Sequence, residues 1–93
     1  MTPEQATETA IKGLQYLAGD PDQLNRFVAL TGMTPDLMRE NAGSPEFLAA
    51  ILDYFLGDEP TLLAFSASNE LDPASIQKAR HILQPVSVVE GWE

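Results

Sequence analysis

The chain of 93 residues contains no cysteine. This absence excludes a disulfide framework, a thiolate zinc site, an iron–sulfur cluster and a cysteine nucleophile. The single histidine, His81, excludes a metal site with two histidine ligands within one chain. No apolar run approaches the ~20 residues that a membrane-spanning helix needs. The N-terminal stretch MTPEQATETAIKGLQ also lacks the basic start and apolar run of a signal peptide. We therefore expect a cytoplasmic protein that does not enter a membrane.

Basic residues are scarce as well. The chain has 5 lysines and arginines against 14 acidic residues, which gives a net charge of −9. Only Lys78 and Arg80 lie close together in the sequence. A nucleic-acid backbone or an anionic membrane is bound through clustered Lys and Arg, so both partners are disfavoured. The acidity fits a basic partner, although it more often serves only solubility.

The commonest local pattern is an N-cap residue followed directly by proline. The cap oxygen accepts an otherwise unpaired backbone N–H, and proline at the first helical position has no N–H to leave unpaired. In a sixth start, Asp58-Glu59-Pro60, proline comes one position later. Together these starts account for six of the seven prolines. The five pairs with proline directly after the cap are Thr2-Pro3, Asp20-Pro21, Thr34-Pro35, Ser44-Pro45 and Asp72-Pro73.

These starts predict six helices joined by short connections. Four glycines precede four of the starts, where we expect left-handed residues that end the preceding helices: Gly19, Gly32, Gly43 and Gly57. The predicted helices span about 3–18, 21–31, 35–42, 45–56, 60–68 and 73–83. Gly13 weakens the first helix by roughly 1 kcal/mol relative to alanine unless a neighbouring helix needs the close approach. The apolar spacing predicts that the helices face the core through Ala10, Ile11, Leu14, Leu17, Ala18, Leu24, Phe27, Val28, Leu30, Leu37, Met38, Leu62, Leu63, Phe65, Ala67, Ile76, Ala79, Ile82 and Leu83.

The fourth helix organises the fold. Between Phe47 and Leu56 only Asp53 is charged, and the apolar side chains cover most of the helix circumference. Such a helix is normally buried on several sides. We therefore predict one all-α domain over residues 1–84, a compact orthogonal bundle of five to six short helices around residues 45–56.

Residues 85–93 differ from the rest of the chain. Pro85 ends the sixth helix, and the segment that follows reads as an extended C-terminal tail carrying the only tryptophan. Folding back of this tail, with Trp92 covering part of the core, is the more ordinary interpretation. The functional interpretation is a linear motif that contacts a partner. Its candidate partner-binding residues are Val86, Val88, Val89 and Trp92.

No catalytic arrangement is visible. Asp53 interrupts the central helix; we expect it at a solvent-facing edge, since a buried carboxylate would need a partner such as Arg26 or Arg39. His81 suits the negative end of the sixth helix. Asp53, Asp58 and Glu59 do not have the spacing of a calcium-binding EF-hand loop. We predict no catalytic, metal-binding or cofactor-binding residues, and no enzyme.

Residues 24–41 offer an alternative function. A helix, the turn Thr31-Gly32-Met33 and a second helix opening at Thr34-Pro35 together resemble a helix-turn-helix. The second helix, however, presents Asp36, Arg39 and Glu40, with no net positive charge for phosphates. The same cap-and-proline start recurs throughout the chain, so this turn is expected without DNA.

Several elements together resemble a known family. They are Leu17 with Asp20-Pro21, Phe27 through Gly32, the Pro45-Glu46-Phe47-Leu48 entry, and Asp53 to Glu59 followed by Leu62, Leu63 and Phe65. The sequence from about Ala10 to Leu83 resembles a family of short alphaproteobacterial proteins known as domain of unknown function 3572. That resemblance implies a small helical domain of the bacterial cytoplasm and brings no assigned activity, cofactor or catalytic residue. The tail after Pro85 lies outside it.

These observations lead to a non-enzymatic cytoplasmic protein-interaction or accessory domain whose partner is another protein or a second copy of the chain. The alternative is a divergent helix-turn-helix regulator that reads DNA through the third helix.

Overall fold

The structure, a computed structural model, describes residues 1–83. Within that range the chain forms six α-helices and no strand, which confirms the all-α prediction. None of these helices is long and apolar enough to cross a membrane. The tail motif predicted from the sequence lies outside the described residues. The helices are α1 (Pro3–Ala18), α2 (Pro21–Thr31), α3 (Pro35–Glu40), α4 (Pro45–Leu56), α5 (Glu59–Ser68) and α6 (Pro73–Leu83).

The cap residues begin the helices as predicted. In α1 to α5 the cap oxygen accepts a hydrogen bond from the backbone N–H three residues later. Thr2 and Gln5 form a reciprocal capping box at the start of α1. At α6 the Asp72 carboxylate instead accepts from the N–H of Ala74, at 2.9 Å. Only the end of α3, at Glu40, and the start of α5, at Glu59, differ from the predicted bounds, by two residues and one.

The glycine prediction was correct at one position. Gly32 is left-handed, with φ at 75°, and ends α2. Gly19 and Gly57 have φ of −87° and −82°, so the expectation of left-handed residues there was wrong. Gly43 is likewise not among the residues with positive φ. The helices before Gly19 and Gly57 end in right-handed turns that any residue can adopt.

Helix α4 lies at the centre of the bundle. Seven of its twelve residues are buried, and it packs against α1, α5 and α6. Every phenylalanine and tyrosine of the chain joins one network of ring contacts that passes through α4. The closest pair, Phe55 and Phe65, stacks with ring centroids 4.4 Å apart. Burial of these rings supplies much of the apolar area that stabilises a domain of this size.

Helical spacing identified most core positions and failed at six. The six were expected to face the core and are exposed: Ile11, Ala18, Leu30, Leu37, Leu63 and Ala67. Among the large side chains of this set, Leu30 is the most exposed, at 68%. In α1, α2, α3 and α5 the covered stripe is therefore narrower than the apolar one. Small and polar residues occupy part of the buried surface instead, since Ala6, Thr9 and Gly13 are buried in α1.

Gly13 marks the closest approach between α1 and α4. A Cβ atom at this position would lie 2.9 Å from Cγ2 of Ile51 and 2.9 Å from Cε2 of Phe55. Both neighbours are fully buried, so neither side chain has space to move away. Gly13 is therefore explained by the close approach of α4, the exception that was stated when Gly13 was expected to weaken the first helix.

Candidate functional site

The side chains that the sequence analysis singled out fall into separate places. Val86, Val88, Val89 and Trp92, the candidate partner-binding residues, lie outside the described range of 1–83. The remaining candidates lie on the surface of the bundle. They are Asp53 on α4, Asp58 at the start of α5, His81 on α6 and the residues of α3.

Asp53 lies on the solvent-facing edge of α4, as predicted. Its side chain is 56% exposed and accepts a hydrogen bond from Nε of Arg80 at 2.6 Å. Arg26 and Arg39, the partners that a buried carboxylate at this position was expected to need, pair elsewhere. Arg26 pairs with Asp58 at 3.4 Å, and Arg39 pairs with Asp36 on the same helix. Asp53 therefore forms part of an ion pair between α4 and α6.

His81 lies on the exposed face of α6. It lines a depression with Met1, Lys78 and Ile82. Asp53 lines a different depression, between α2 and α4. Asp53 and His81 therefore do not share a site. Among residues 1–83, no three potential metal ligands lie together either.

The α2–α4 depression has more polar walls than the depression beside α6. Its volume is about 370 Å³, and its charged groups already pair with one another or with neighbouring side chains. The Tyr54 hydroxyl at its wall donates to Oε1 of Gln23, and the Arg26 guanidinium lies 5.9 Å from the centre of the Tyr54 ring. This set of contacts joins α2 to α4 and the start of α5, which is a structural role.

Two pKa values in this depression are displaced by their surroundings. Burial of the ring raises the pKa of Tyr54, and the negative charges of Asp58 and Asp20 act in the same direction against Arg26. The pKa of Asp58 is lowered chiefly because the Thr61 hydroxyl donates to its carboxylate, with the Thr61 N–H and Arg26 adding to the effect. Asp58 is thereby held as the anion that caps α5.

A further concave surface is an apolar groove between α1, α2 and α3, called here the α3 groove. Its volume is about 270 Å³, and its walls come from the end of α1, the first turns of α2 and the whole of α3. Only one charged residue, Arg39, is among those that line it. The lining residues are Leu14, Ala18, Leu24, Pro35, Met38, Arg39 and Ala42.

The α3 groove was not predicted from the sequence. Met38 and Leu24 were expected to face the core, and Met38 is indeed buried. Pro35 and Ala42 carried no signal beyond helix punctuation. The groove exists because α3 has only six residues and a single buried one, so it leaves the surface between α1 and α2 partly uncovered.

The α2–turn–α3 unit gives no support to DNA recognition. The turn contains the left-handed Gly32, as a helix-turn-helix would. Yet α3, the helix that would enter the groove of DNA, is less than two turns long. Its only arginine, Arg39, is paired with Asp36, and both side chains are exposed.

Comparison with protein families bears on the whole bundle. A family described as "Protein of unknown function (DUF3572)" matches residues 3–86. The chain belongs to this family. The match spans all six helices of this DUF3572 protein, the α3 groove and the α2–α4 depression included. No curated protein and no solved structure matches the chain. The family likeness confirms the one drawn from the sequence, and it assigns no activity to any residue.

Proposed function

We propose that this DUF3572 protein is a non-enzymatic protein-interaction domain of the bacterial cytoplasm, and that the α3 groove is its binding surface. The observation that carries the proposal is the groove itself, an open concave surface with six apolar lining residues and one arginine. Sites that bind other molecules are typically concave and mostly apolar, with a few polar groups that set orientation.

The lining determines what kind of segment would bind. Leu14, Leu24 and Met38 offer apolar area, and each Å² removed from water contributes roughly 25 cal/mol. Ala18 and Ala42 are small and leave room for a large side chain of the partner. The groove therefore suits a peptide segment with an aromatic or aliphatic anchor. At most interfaces a few buried anchors of this kind contribute most of the binding energy.

Arg39 sets the preferred charge of that segment. Its guanidinium pairs with Asp36 in the structure, but the two side chains are 73% and 79% exposed. Exposed pairs of this kind contribute about 0–1 kcal/mol and are readily exchanged. An acidic group next to the anchor could therefore replace Asp36 as the ion-pair partner of Arg39. The expected partner carries an apolar anchor with a carboxylate beside it.

A pair of matched substitutions tests the proposal. Ala18 lines the α3 groove and is exposed, and Ala64 is an exposed alanine on α5 outside the groove. Ala18→Glu places bulk and negative charge in the groove, whereas Ala64→Glu adds the same side chain elsewhere. Affinity capture from a bacterial lysate, followed by mass spectrometry, would compare both variants with the unchanged chain.

We expect one or more proteins to be captured equally by the unchanged chain and by Ala64→Glu, and to be lost with Ala18→Glu. Circular dichroism checks that both variants remain helical. Capture that survives Ala18→Glu, or loss that is equal in both variants, would contradict the assignment of the groove.

A further inference from the structure

Residues 84–93 have the chemistry that the α3 groove selects. The segment contains three valines and the only tryptophan of the chain, with Glu90 and Glu93 on either side of Trp92 and no lysine or arginine. We propose that this segment of the same chain occupies the α3 groove, with Trp92 as its anchor. The inference rests on the proposed function, because it requires the groove to be a binding surface.

Size and polarity fit the indole ring. A tryptophan side chain buries roughly 150–250 Å² and dominates the energetics of the surfaces it enters. The groove, at about 270 Å³, is lined by leucine, methionine and proline side chains and is widened by two alanines. Filling it would also add apolar contacts to Met38, which is already buried, and so support α3. A helix of six residues has little stability without such tertiary contacts.

Charge directs the segment to this groove. Most of the surface repels an acidic peptide, since the chain carries a net charge of −9. Arg26 and Arg80 are already paired with carboxylates on neighbouring helices. Among the partners that residues 1–83 supply, Arg39 pairs only with the exposed Asp36 of its own helix, at the rim of the apolar groove. Glu90 and Glu93 would flank the anchor where this guanidinium can reach them.

The depression beside α6 is the competing location. Lys78 and His81 line it, but its walls are the exposed face of α6 and Met1. Its volume of about 380 Å³ exceeds the 270 Å³ of the α3 groove, but it runs along one helix and does not lie between three. An aromatic ring would therefore be contacted there from fewer sides. A substitution at Lys78 separates the two locations experimentally.

Chain length permits docking within one molecule. Trp92 follows Leu83 by nine positions, and an extended segment of that length spans at most about 30 Å. The molecule measures 41 × 29 × 21 Å along its principal axes, so this reach matches or exceeds two of its three dimensions. A tethered segment has an effective concentration in the millimolar range. It therefore outcompetes the same segment of a second copy at micromolar concentrations.

Tryptophan fluorescence of the full chain tests the inference, because Trp92 is the only emitter of its kind. We expect a blue-shifted emission that acrylamide quenches poorly and that does not change with protein concentration. Ala18→Glu should shift the emission to the red and increase quenching, while Ala64→Glu should leave both unchanged. Arg39→Glu, at an exposed rim position, should act in the same direction as Ala18→Glu with less risk to folding.

Four results would overturn the inference. The first is a solvent-exposed Trp92 emission in the unchanged chain, and the second is an emission that neither Ala18→Glu nor Arg39→Glu changes. The third is a red shift of the emission caused by Lys78→Glu and not by those two variants. The fourth is a blue shift that disappears on dilution. The last result would assign the segment to the groove of a second copy. A segment that occupies the groove competes with a partner protein, so the lysate comparison of Ala18→Glu with Ala64→Glu is repeated in the Trp92→Ala chain. Loss of capture with Ala18→Glu in that chain supports the proposed function whatever the fluorescence shows, so failure of the inference can be told apart from failure of the proposed function.

Discussion

Gly13 shows how one side chain, by its absence, sets the distance between two helices. Glycine inside a helix costs about 1 kcal/mol relative to alanine, so helix propensity alone would favour alanine at position 13. Packing disfavours it, because atoms of Ile51 and Phe55 would each lie 2.9 Å from the new Cβ atom. Ile51 is β-branched, and Phe55 is fixed between neighbouring rings.

Replacing Gly13 with alanine should therefore lower the free energy of unfolding. Overpacking in a buried contact costs about 1–3 kcal/mol, which exceeds the gain in helix propensity. Denaturation in urea would measure the change. Gly43→Ala is the control, because no atom lies within 4 Å of a Cβ placed there and its φ is not positive. A Gly13→Ala protein at least as stable as the unchanged chain would refute the close-packing argument.

Tyr54 couples the α2–α4 contact to pH. The ring is buried, its hydroxyl donates to Gln23, and the pKa is raised mainly by that burial. The folded state thus favours the neutral phenol more than the unfolded state does. The stability that results is fully present below the unfolded pKa of about 10 and is lost as the pH rises through the higher folded pKa.

Alkaline titration of stability should reveal this coupling. The free energy of unfolding should fall more steeply above about pH 10 in the unchanged chain than in Tyr54→Phe, which has no hydroxyl to ionise. All other titrating groups are common to the two proteins, so the difference in slope belongs to Tyr54. Parallel profiles would show that ionisation of this phenol is not linked to folding.

The end of α5 illustrates a constraint at the scale of an element. Glu70 has φ of 55°, the only positive value at a non-glycine residue in the described chain. The N–H of Leu71 donates to the carbonyl of Ser66, and the N–H of Glu70 to that of Ala67. This pair of bonds is a Schellman motif, whose left-handed position normally holds glycine. Helix α5 therefore ends in this motif even though the Cβ atom of Glu70 disfavours the left-handed conformation.

Glu70→Gly should stabilise the protein by roughly 1 kcal/mol, because a left-handed residue with a Cβ atom costs about 1–2 kcal/mol. Glu70→Ala removes the same carboxylate and keeps the Cβ atom, so it should give no comparable gain. Thermal unfolding of the three proteins would measure the effect. Equal stability of the glycine and alanine variants would mean that the backbone conformation at residue 70 is not strained.

Sequence reasoning was most successful at helix starts, for a physical reason. A cap and a following proline act within four residues, and their effect does not depend on the rest of the fold. The side of a helix that becomes covered depends on neighbours that are distant in sequence. Leu30 and Leu63 have the right spacing and remain exposed, because no helix within residues 1–83 covers their side.

At the scale of the whole molecule, the surface sites depend on contacts across long sequence distances. The Arg80–Asp53 pair joins residues 27 positions apart, and no local pattern distinguishes it from a pairing with Arg26 or Arg39. The α3 groove combines the end of α1, the start of α2 and the short α3. Spacing and charge predicted a protein-interaction domain without a catalytic set, but they did not indicate this surface.

One measurement tests most directly whether the α3 groove is a binding surface for an apolar anchor. Met38 lines the groove and Met1 lies beside α6, so their side-chain methyl groups report on two separate places in one spectrum. Methyl NMR spectra of the full chain and of Trp92→Ala would be compared. We expect removal of the indole ring to shift the Met38 methyl signal and to leave that of Met1 in place. An unchanged Met38 signal, or a shift confined to Met1, would contradict it.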